Sequence, residues 1–183
     1  MSNKLIAIVG MCGAGKSDAT QWFCERGWQK VYFGGVTMDE LKKKGLPVTP
    51  ENEKAERERL RRELGMGAFA VLLSDTIKEK LNVGNVVLDG LYSWSEYKYI
   101  YDNISSDVKL VAIIADSGLR YSRLAGRPIR PLTAEQARRR DIAEIENLEK
   151  GGPIAAADHF IDNNGDYEHF RSSVQALIDQ LEK

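Results

Sequence analysis

Short apolar runs alternate with longer amphipathic stretches along the chain. Each short run has the composition of a strand, and apolar residues recur with helical spacing in the stretches that follow. The predicted strands span residues 4–9, 29–33, 86–90, 108–115 and 159–162. The run at 86–90 opens on Val-Val-Leu, which favours a central place in the sheet. Strand and helix patterns that alternate in this way predict an α/β protein with a parallel sheet.

Capping residues mark where several of the helices begin. Thr49 is followed by a proline and an acid, which predicts a helix over residues 51–64. Two adjacent glycines, Gly34 and Gly35, predict a sharp turn or a close backbone approach before a short helix at 38–44. The predicted helix N-caps are Thr37, Thr49, Ser93, Thr133 and Asp166.

Two further helices are predicted from apolar spacing and from helix breaks. The first spans residues 68–81 and should direct an apolar face toward the core. The second begins at Thr133, runs to Glu149 and ends at Gly151-Gly152-Pro153. The core-facing residues expected on the first helix are Phe69, Leu72, Leu73 and Ile77.

The segment 10–17, with sequence GMCGAGKS, fits the phosphate-binding loop pattern G-x-x-x-x-G-K-[ST]. Glycines let successive backbone N–H groups point into one hollow, and the N-terminus of the helix at 17–26 adds partial positive charge there. Lys16 would contact the β- and γ-phosphates of a nucleotide, and the Ser17 hydroxyl would ligate Mg²⁺. A glycine-rich turn that matches by chance is the alternative, but strand, loop, Lys-Ser pair and helix occur in the required order. The residues predicted to bind the nucleotide here are Gly10, Gly13, Ala14, Gly15, Lys16, Ser17 and Asp18.

Asp89 stands at the C-terminal end of the third predicted strand. In open parallel sheets, ligands bind at this edge. An ionised carboxylate there is costly unless something pairs with it, and Mg²⁺ or Lys16 would be such a partner. We therefore expect Asp89 to act in catalysis and, with Ser17, to hold the metal. The alternative is that Asp89 only caps the turn at Gly90.

The stretch 120–140 is rich in arginine, and Glu135 is its only acid. Glycine and proline residues in its middle predict a loop between two helices. The alternative to a functional site is an exposed basic hairpin. Beside a phosphate loop, however, guanidinium groups suit a transferring phosphoryl group. The arginines are Arg120, Arg123, Arg127, Arg130, Arg138, Arg139 and Arg140.

Arginines also recur on the predicted helix 51–64. By helical spacing Arg57, Arg61 and Arg62 lie near one another. Acidic residues are interleaved with them, so a solvated face with ion pairs is the simpler reading of this helix alone. An anionic substrate would give the same three arginines a binding function.

The whole chain is ordinary in composition. Its 183 residues, with 43% hydrophobic and 29% charged residues, are consistent with one domain over 1–183. A formal net charge of -1 does not favour a nucleic-acid partner. No apolar run predicts a membrane span or a signal peptide, so we expect a cytoplasmic protein without a membrane partner. Cys12 and Cys24 lack the companions that a metal site needs.

These motifs together resemble the nucleoside-monophosphate-kinase group of P-loop proteins. The segment 157–165, ADHFIDNNG, is similar to the last strand and turn of dephospho-coenzyme A kinase. A resemblance to archaeal adenylate-kinase-like proteins runs nearly end to end, through the phosphate loop, Leu88-Asp89-Gly90, the sequence RYSRL at 120–124 and the Asp-Asn-Asn-Gly ending.

The resemblance implies a P-loop fold of three layers with a five-stranded parallel sheet. It implies a helical acceptor-binding insert at about 37–65, an arginine lid at about 120–140, and ATP with Mg²⁺ as the phosphoryl donor. By position, Arg120 and Arg123 would flank the donor nucleotide. Arg127, together with Arg139, would clamp the transferring group. Residues from Asn163 to Gly165 would lie near the adenine.

One departure from these families affects the acceptor. Their second strand normally ends with an Asp, and here Gly34-Gly35 follows it. A dephospho-coenzyme A acceptor offers a hydroxyl that would need such a carboxylate, so the loss favours a nucleoside monophosphate, with Gly35, Arg57, Arg61 and Arg62 around it. The other class of function is a regulatory ATP-binding module with slow ATPase activity. A monomer or a homodimer is expected in either case.

Overall fold

The computed structural model describes residues 3–183 and contains a five-stranded sheet. Its strand order is β2-β3-β1-β4-β5, and every neighbouring pair is parallel. The predicted fold class is therefore confirmed. The strands are β1 Leu5–Val9, β2 Gln29–Tyr32, β3 Val86–Asp89, β4 Lys109–Ile114 and β5 His159–Asp162.

Helices connect all the strands. The helix bounds are α1 Lys16–Glu25, α2 Phe33–Lys43, α3 Pro50–Leu64, α4 Ala68–Val83, α5 Trp94–Asn103, α6 Ser117–Ala125, α7 Ala134–Leu148, α8 Gly151–Ala155 and α9 Tyr167–Leu181. None of the helices within residues 3–183 combines the length and the apolar character that a bilayer crossing needs.

The core lies on both faces of the sheet because side chains alternate along each strand. In β1, Leu5, Ala7 and Val9 pack with apolar residues of α2 to α5 on one face. Ile6 and Ile8 point to the other face and pack with α1 and α9. Both faces of the sheet are thus covered by helices, which leaves the C-terminal ends of the strands as the open edge.

The predicted capping residues are largely confirmed. The Thr49 hydroxyl accepts a hydrogen bond from the backbone N–H of Asn52 at 3.2 Å. The Asp166 carboxylate accepts one from the backbone N–H of His169 at 2.8 Å. Complete capping boxes begin α5 and α7, at Ser93 and Thr133. These local signals fix where the helices start, as the sequence indicated.

The prediction for the segment after β2 is wrong. Helix α2 begins directly at Phe33, so Gly34 and Gly35 are helical and Thr37 lies inside the helix instead of capping it. Gly34 lies under the Tyr32 side chain: a Cβ there would lie 2.4 Å from the ring, so the exposed tyrosine would have to move. The expected close approach is present, but it is made by a side chain.

Two smaller predictions also fail. Leu72 is 43% exposed and does not face the core, although Phe69 and Ile77 do. The predicted break at Gly151-Gly152-Pro153 is itself the beginning of the short helix α8, although α7 does end at Leu148, next to the predicted Glu149. The left-handed backbone of Glu149, with φ 53°, makes the actual break.

Candidate functional site

The phosphate loop lies between β1 and α1, at the C-terminal edge of the sheet. Gly10 and Gly15 have φ values of 139° and 106°, which other residues rarely adopt. A Cβ on Gly10 would lie 2.3 Å from the carbonyl oxygen of Ile113, and one on Gly15 would lie 2.4 Å from Nδ2 of Asn163. The glycines of the motif therefore let the loop lie against β4 and the turn after β5.

A cavity of about 640 Å³ opens above this loop, and we call it the donor cavity. It contains most of the nucleotide-binding residues that the sequence predicted. Gly10, Ala14, Arg120 and Gly165 do not line it, and Ala14 is buried beneath it. The lining comprises Cys12, Gly13, Gly15, Lys16, Ser17, Asp18, Tyr32, Asp89, Tyr92, Arg123, Arg127, Arg140, Asn163, Tyr167 and Phe170.

The side chain of Lys16 is held by a backbone carbonyl of the phosphate loop. Its ammonium donates a hydrogen bond to the Met11 carbonyl at 2.9 Å. Burial and then the charge of Lys150 lower the pKa of Lys16 to about 7. An anion bound beside Lys16 would stabilise its charged form, so this cation is suited to a phosphate ligand.

Arg123 and Asn163 form a second contact with the loop. Nη2 of Arg123 donates to the backbone carbonyl of Asn163 at 2.9 Å and to its Oδ1 at 3.3 Å. The Asn163 amide in turn donates to the Ala14 carbonyl at 2.8 Å. Nη1 of Arg123 is buried and has no hydrogen-bond partner within residues 3–183. A buried donor without a partner is costly, and a phosphate oxygen in the donor cavity would satisfy it.

Asp89 and Ser17 supply oxygen atoms to the same cavity. The Asp89 side chain is 17% exposed, and its carboxylate lies 3.4 Å from Nζ of Lys30. Ser17 is exposed at the start of α1. A hydroxyl, a carboxylate and phosphate oxygens are the hard ligands that Mg²⁺ prefers, so this donor set fits that ion.

A second cavity of about 860 Å³ lies between α2, α3 and α7, and we call it the acceptor cavity. Arg57 and Arg61 line it as expected, but Arg62 and Gly35 do not, and Gly34 lines it instead of Gly35. The guanidinium of Arg61 lies 5.0 Å from the ring centroid of Phe69. Burial lowers the pKa of Arg61, and its Nε has no partner within the described residues.

An ion-paired carboxylate lies between two arginines in the acceptor cavity. Nη1 of Arg57 lies 3.4 Å from one oxygen of Glu53, and Nη2 of Arg130 lies 3.3 Å from the other. Arg130 belongs to the loop between α6 and α7, so Glu53 connects that loop to α3. Hydrogen bonding from Arg130 is the main cause that lowers the pKa of Glu53.

Arg120 does not reach the donor cavity. Its guanidinium is buried, and it donates to both carboxylate oxygens of Asp141, at 3.0 and 2.6 Å. It also donates to the Cys12 carbonyl at 3.0 Å, behind the phosphate loop. The structure therefore does not place Arg120 beside the nucleotide, as we expected, and Arg120 instead supports the phosphate loop from behind. Arg139 is likewise outside both cavities, paired with the exposed Glu135.

Sequence reasoning did not assign a role to four residues at or beneath the junction of the cavities: Tyr92, Arg140, Glu144 and the buried Lys150. Arg140 and Tyr92 line both cavities, and Glu144 lines the acceptor cavity. Arg140 belongs to the arginine-rich stretch, which was the available signal, whereas nothing local marked the others. Burial raises the pKa of Tyr92 to about 12, so its hydroxyl keeps its proton and can donate it in a hydrogen bond.

Relatives of known sequence match the chain nearly end to end. It is 32% identical over 183 residues to a UPF0200 protein of Pyrococcus abyssi, covering 97% of this chain and 96% of that one. The chain belongs to the UPF0200 family. A UPF0200 protein of Thermococcus kodakarensis is 33% identical to it over 181 residues, covering 97% of each chain. The expected resemblance to archaeal proteins is thus confirmed. A scan for matching family models finds none for this chain.

Solved structures share the fold of this UPF0200 chain. Shikimate kinase from Bacteroides thetaiotaomicron has a TM-score of 0.61 at 18% identity and covers 98% of this chain and 99% of its own. A gluconokinase from Sinorhizobium meliloti has a TM-score of 0.59 at 12% identity, covering 98% and 95%. At these identities the likeness shows the fold alone, which is the fold of P-loop kinases.

Proposed function

We propose that this UPF0200 protein is an ATP-dependent phosphotransferase that moves the γ-phosphoryl group of ATP to a small anionic acceptor. The observation that carries the proposal is the junction of the two cavities. Tyr32, Tyr92 and Arg140 line both of them, so a donor and an acceptor bound side by side would meet there. A protein that only binds and slowly hydrolyses ATP does not require a second cavity beside the first.

The donor side has the groups that phosphoryl transfer requires. This reaction depends on positioning and charge neutralisation more than on covalent chemistry. In our proposal Lys16 and the loop N–H groups hold the β- and γ-phosphates, while Arg123 and Arg127 neutralise charge in the transition state. Mg²⁺, held by Ser17 and Asp89, would supply further charge neutralisation at the phosphates.

The acceptor side favours an anionic molecule. Five cations and three carboxylates line that cavity, so its lining has net positive charge, and guanidinium groups suit phosphate. The cations are Lys54, Arg57, Arg61, Arg130 and Arg140, and the acids are Glu53, Glu58 and Glu144. Aromatic residues, among them Phe33 and Phe69, line it as well and offer apolar surface for a ring. We therefore propose a nucleoside monophosphate as the acceptor, with dephospho-coenzyme A as the second candidate, and a cytoplasmic monomer or homodimer as the working form.

The rival function is a regulatory ATP-binding module. Its support is the absence of an acid at the end of β2, where Tyr32 leads directly into α2. Asp89, at the end of the neighbouring strand β3, is the register partner of Tyr32 and supplies a carboxylate at the same edge. Such a protein would hydrolyse ATP slowly and without regard to any acceptor.

A substrate panel separates the two functions. ADP release is measured with ATP and Mg²⁺, alone and with each of the common nucleoside monophosphates or dephospho-coenzyme A. Release that depends on one acceptor, with a phosphorylated product detected by mass spectrometry, supports the kinase. Slow release that no acceptor changes supports the regulatory module instead. The Lys16→Ala variant, once circular dichroism shows that it is folded, controls for contaminating activity.

A further inference from the structure

Glu144 is a buried carboxylate whose two oxygens are bound by two different cations. Nε of Arg140 donates to Oε1 at 3.0 Å, and Nζ of Lys150 donates to Oε2 at 2.6 Å. The Glu144 and Lys150 side chains are 7% and 2% exposed, whereas that of Arg140 is 46% exposed. The three residues thus run from the interior to the junction of the two cavities.

The burial of this pair calls for a reason other than stability. A buried ion pair costs so much desolvation that well-packed apolar residues often stabilise a fold equally well. Lys150 also lies 4.5 Å above the ring centroid of Tyr92, which lines both cavities. The pair is therefore placed where it can orient two junction residues at once.

The geometry of Arg140 indicates what is being oriented. Its Nε is occupied by Glu144, while Nη1 and Nη2 have no hydrogen-bond partner among residues 3–183. A planar guanidinium fixed through Nε presents its two terminal nitrogens as a fork, which is the geometry that binds phosphate. This fork is available at the place where donor and acceptor meet.

We propose that Glu144 and Lys150 are positioning residues: Lys150 fixes Glu144 from the interior, and Glu144 fixes Arg140 so that its terminal nitrogens bind the γ-phosphoryl group of ATP. The inference rests on the proposed function, since it assumes that ATP occupies the donor cavity. It adds two buried residues that do not themselves contact the nucleotide.

The test compares the affinity for ATP with the affinity for ADP, which lacks the γ-phosphate. Calorimetry with Mg²⁺ on the full chain gives this ratio without any need for turnover. Arg140→Ala should lower the ratio by about tenfold, the usual effect of one charged hydrogen bond. Glu144→Gln should lower it by about threefold to tenfold, and should add nothing once Arg140 is already alanine.

Two variants separate positioning from folding. The double variant Glu144→Met with Lys150→Met removes both buried charges together, so it should fold. Its ratio of ATP affinity to ADP affinity should fall as much as that of Glu144→Gln. Glu135→Gln is the matched control, because Glu135 pairs with Arg139 on the same helix but is exposed and outside both cavities. It should leave the ratio unchanged.

The outcomes are distinguishable. Wild-type protein that binds neither nucleotide overturns the proposed function, and this inference with it. Wild-type protein that binds ATP, combined with an unchanged ratio in Arg140→Ala, in Glu144→Gln or in the double variant, overturns this inference alone. The inference is also overturned if Glu144→Gln lowers the ATP-to-ADP affinity ratio further in a protein that already carries Arg140→Ala.

Discussion

The side-chain amide of Asn163 donates a hydrogen bond to the Ala14 carbonyl at 2.8 Å, although 149 positions of the chain separate the two residues. The turn after β5 thereby supports the phosphate loop after β1 from the far side of β4. Arg123 binds the same asparagine through its carbonyl and its Oδ1. The phosphate loop is thus held by contacts that only the assembled sheet can supply.

Replacing Asn163 by alanine should weaken ATP binding by about tenfold and lower the melting temperature. The reason is that the buried Ala14 carbonyl loses its donor, which typically costs about 1–3 kcal/mol. Calorimetry and thermal unfolding measure the two effects. Asn103→Ala is the control, since Asn103 is exposed at the end of α5 and lies outside both cavities. Normal binding in Asn163→Ala would show that the loop holds its shape unaided.

ATP affinity should depend on pH through Lys16. The pKa of free Lys16 is about 7, and bound phosphate raises it, so binding takes up a proton above that pH. Affinity should therefore be constant below about pH 7 and fall as the pH rises, by up to about tenfold per unit. Calorimetry in buffers of different ionisation enthalpy measures the proton uptake directly. Lys16→Met should bind weakly with no such uptake, and uptake that persists in this variant would assign it to another group.

Asp89→Asn should leave a folded protein that binds ATP but loses most of its turnover, by about a hundredfold. The neutral amide is a poorer ligand for Mg²⁺, so a higher Mg²⁺ concentration should restore part of the rate. A Mg²⁺ titration of turnover, with the acceptor that the panel identifies, checks this. Asp39→Asn serves for comparison, because Asp39 is exposed on α2 and lines neither cavity. If Asp39→Asn were inactive and Asp89→Asn unaffected, the roles given to the two acids would be reversed.

Glu96 should make the protein less stable as the pH rises from about 4 to about 7. Burial raises the pKa of Glu96 to about 7, even though its carboxylate accepts hydrogen bonds from the N–H groups of Ser93 and Tyr92. The folded state therefore holds this proton more tightly than the unfolded state, whose pKa is about 4.3. The contribution is complete below the unfolded pKa and is lost as the pH rises through the folded one.

The Glu96→Gln variant isolates this effect from the other carboxylates. An amide mimics the neutral acid, so the difference in unfolding free energy between variant and wild type should be small near about pH 4. By about pH 8 the variant should be more stable by about 3 kcal/mol. Denaturant unfolding at several pH values measures the difference. A difference that stays constant with pH would mean that Glu96 is charged in the folded protein throughout this range.

The parts of the fold that sequence predicts well are those with local causes. The caps at Thr49 and Ser93 follow from hydrogen bonds within one turn of helix, and both are present in the structure. The phosphate loop follows from glycine geometry between adjacent elements. Gly34 shows the limit, because its backbone is helical and the glycine instead leaves room for the Tyr32 ring. Sequence pattern cannot distinguish those two causes.

The parts of the site that sequence misses have causes distant along the chain. Arg120 belongs to the arginine-rich stretch, yet its guanidinium pairs with Asp141 and does not reach the nucleotide site. Which of these two positions it takes depends on how α6 packs against α7. Lys150 looks like an ordinary surface lysine beside two glycines and is in fact almost fully buried. The orientation of a helix about its own axis decides such cases, and it is set by tertiary packing.

The pair of Arg120 and Asp141 limits how the protein can move. Arg120 lies on α6 and Asp141 on α7, and the same guanidinium binds the Cys12 carbonyl of the phosphate loop. A hinge that swung either helix outward would break this buried bidentate pair and leave the Cys12 carbonyl without its donor. We therefore expect the two helices and the phosphate loop to move together, and opening over the acceptor cavity to be confined to residues 126–132, with loss of the ion pair between Arg130 and Glu53. The distance between a spin label at the exposed Ile129 and a second label on α1 should change with that opening. The distance between labels on α7 and α1 should stay constant.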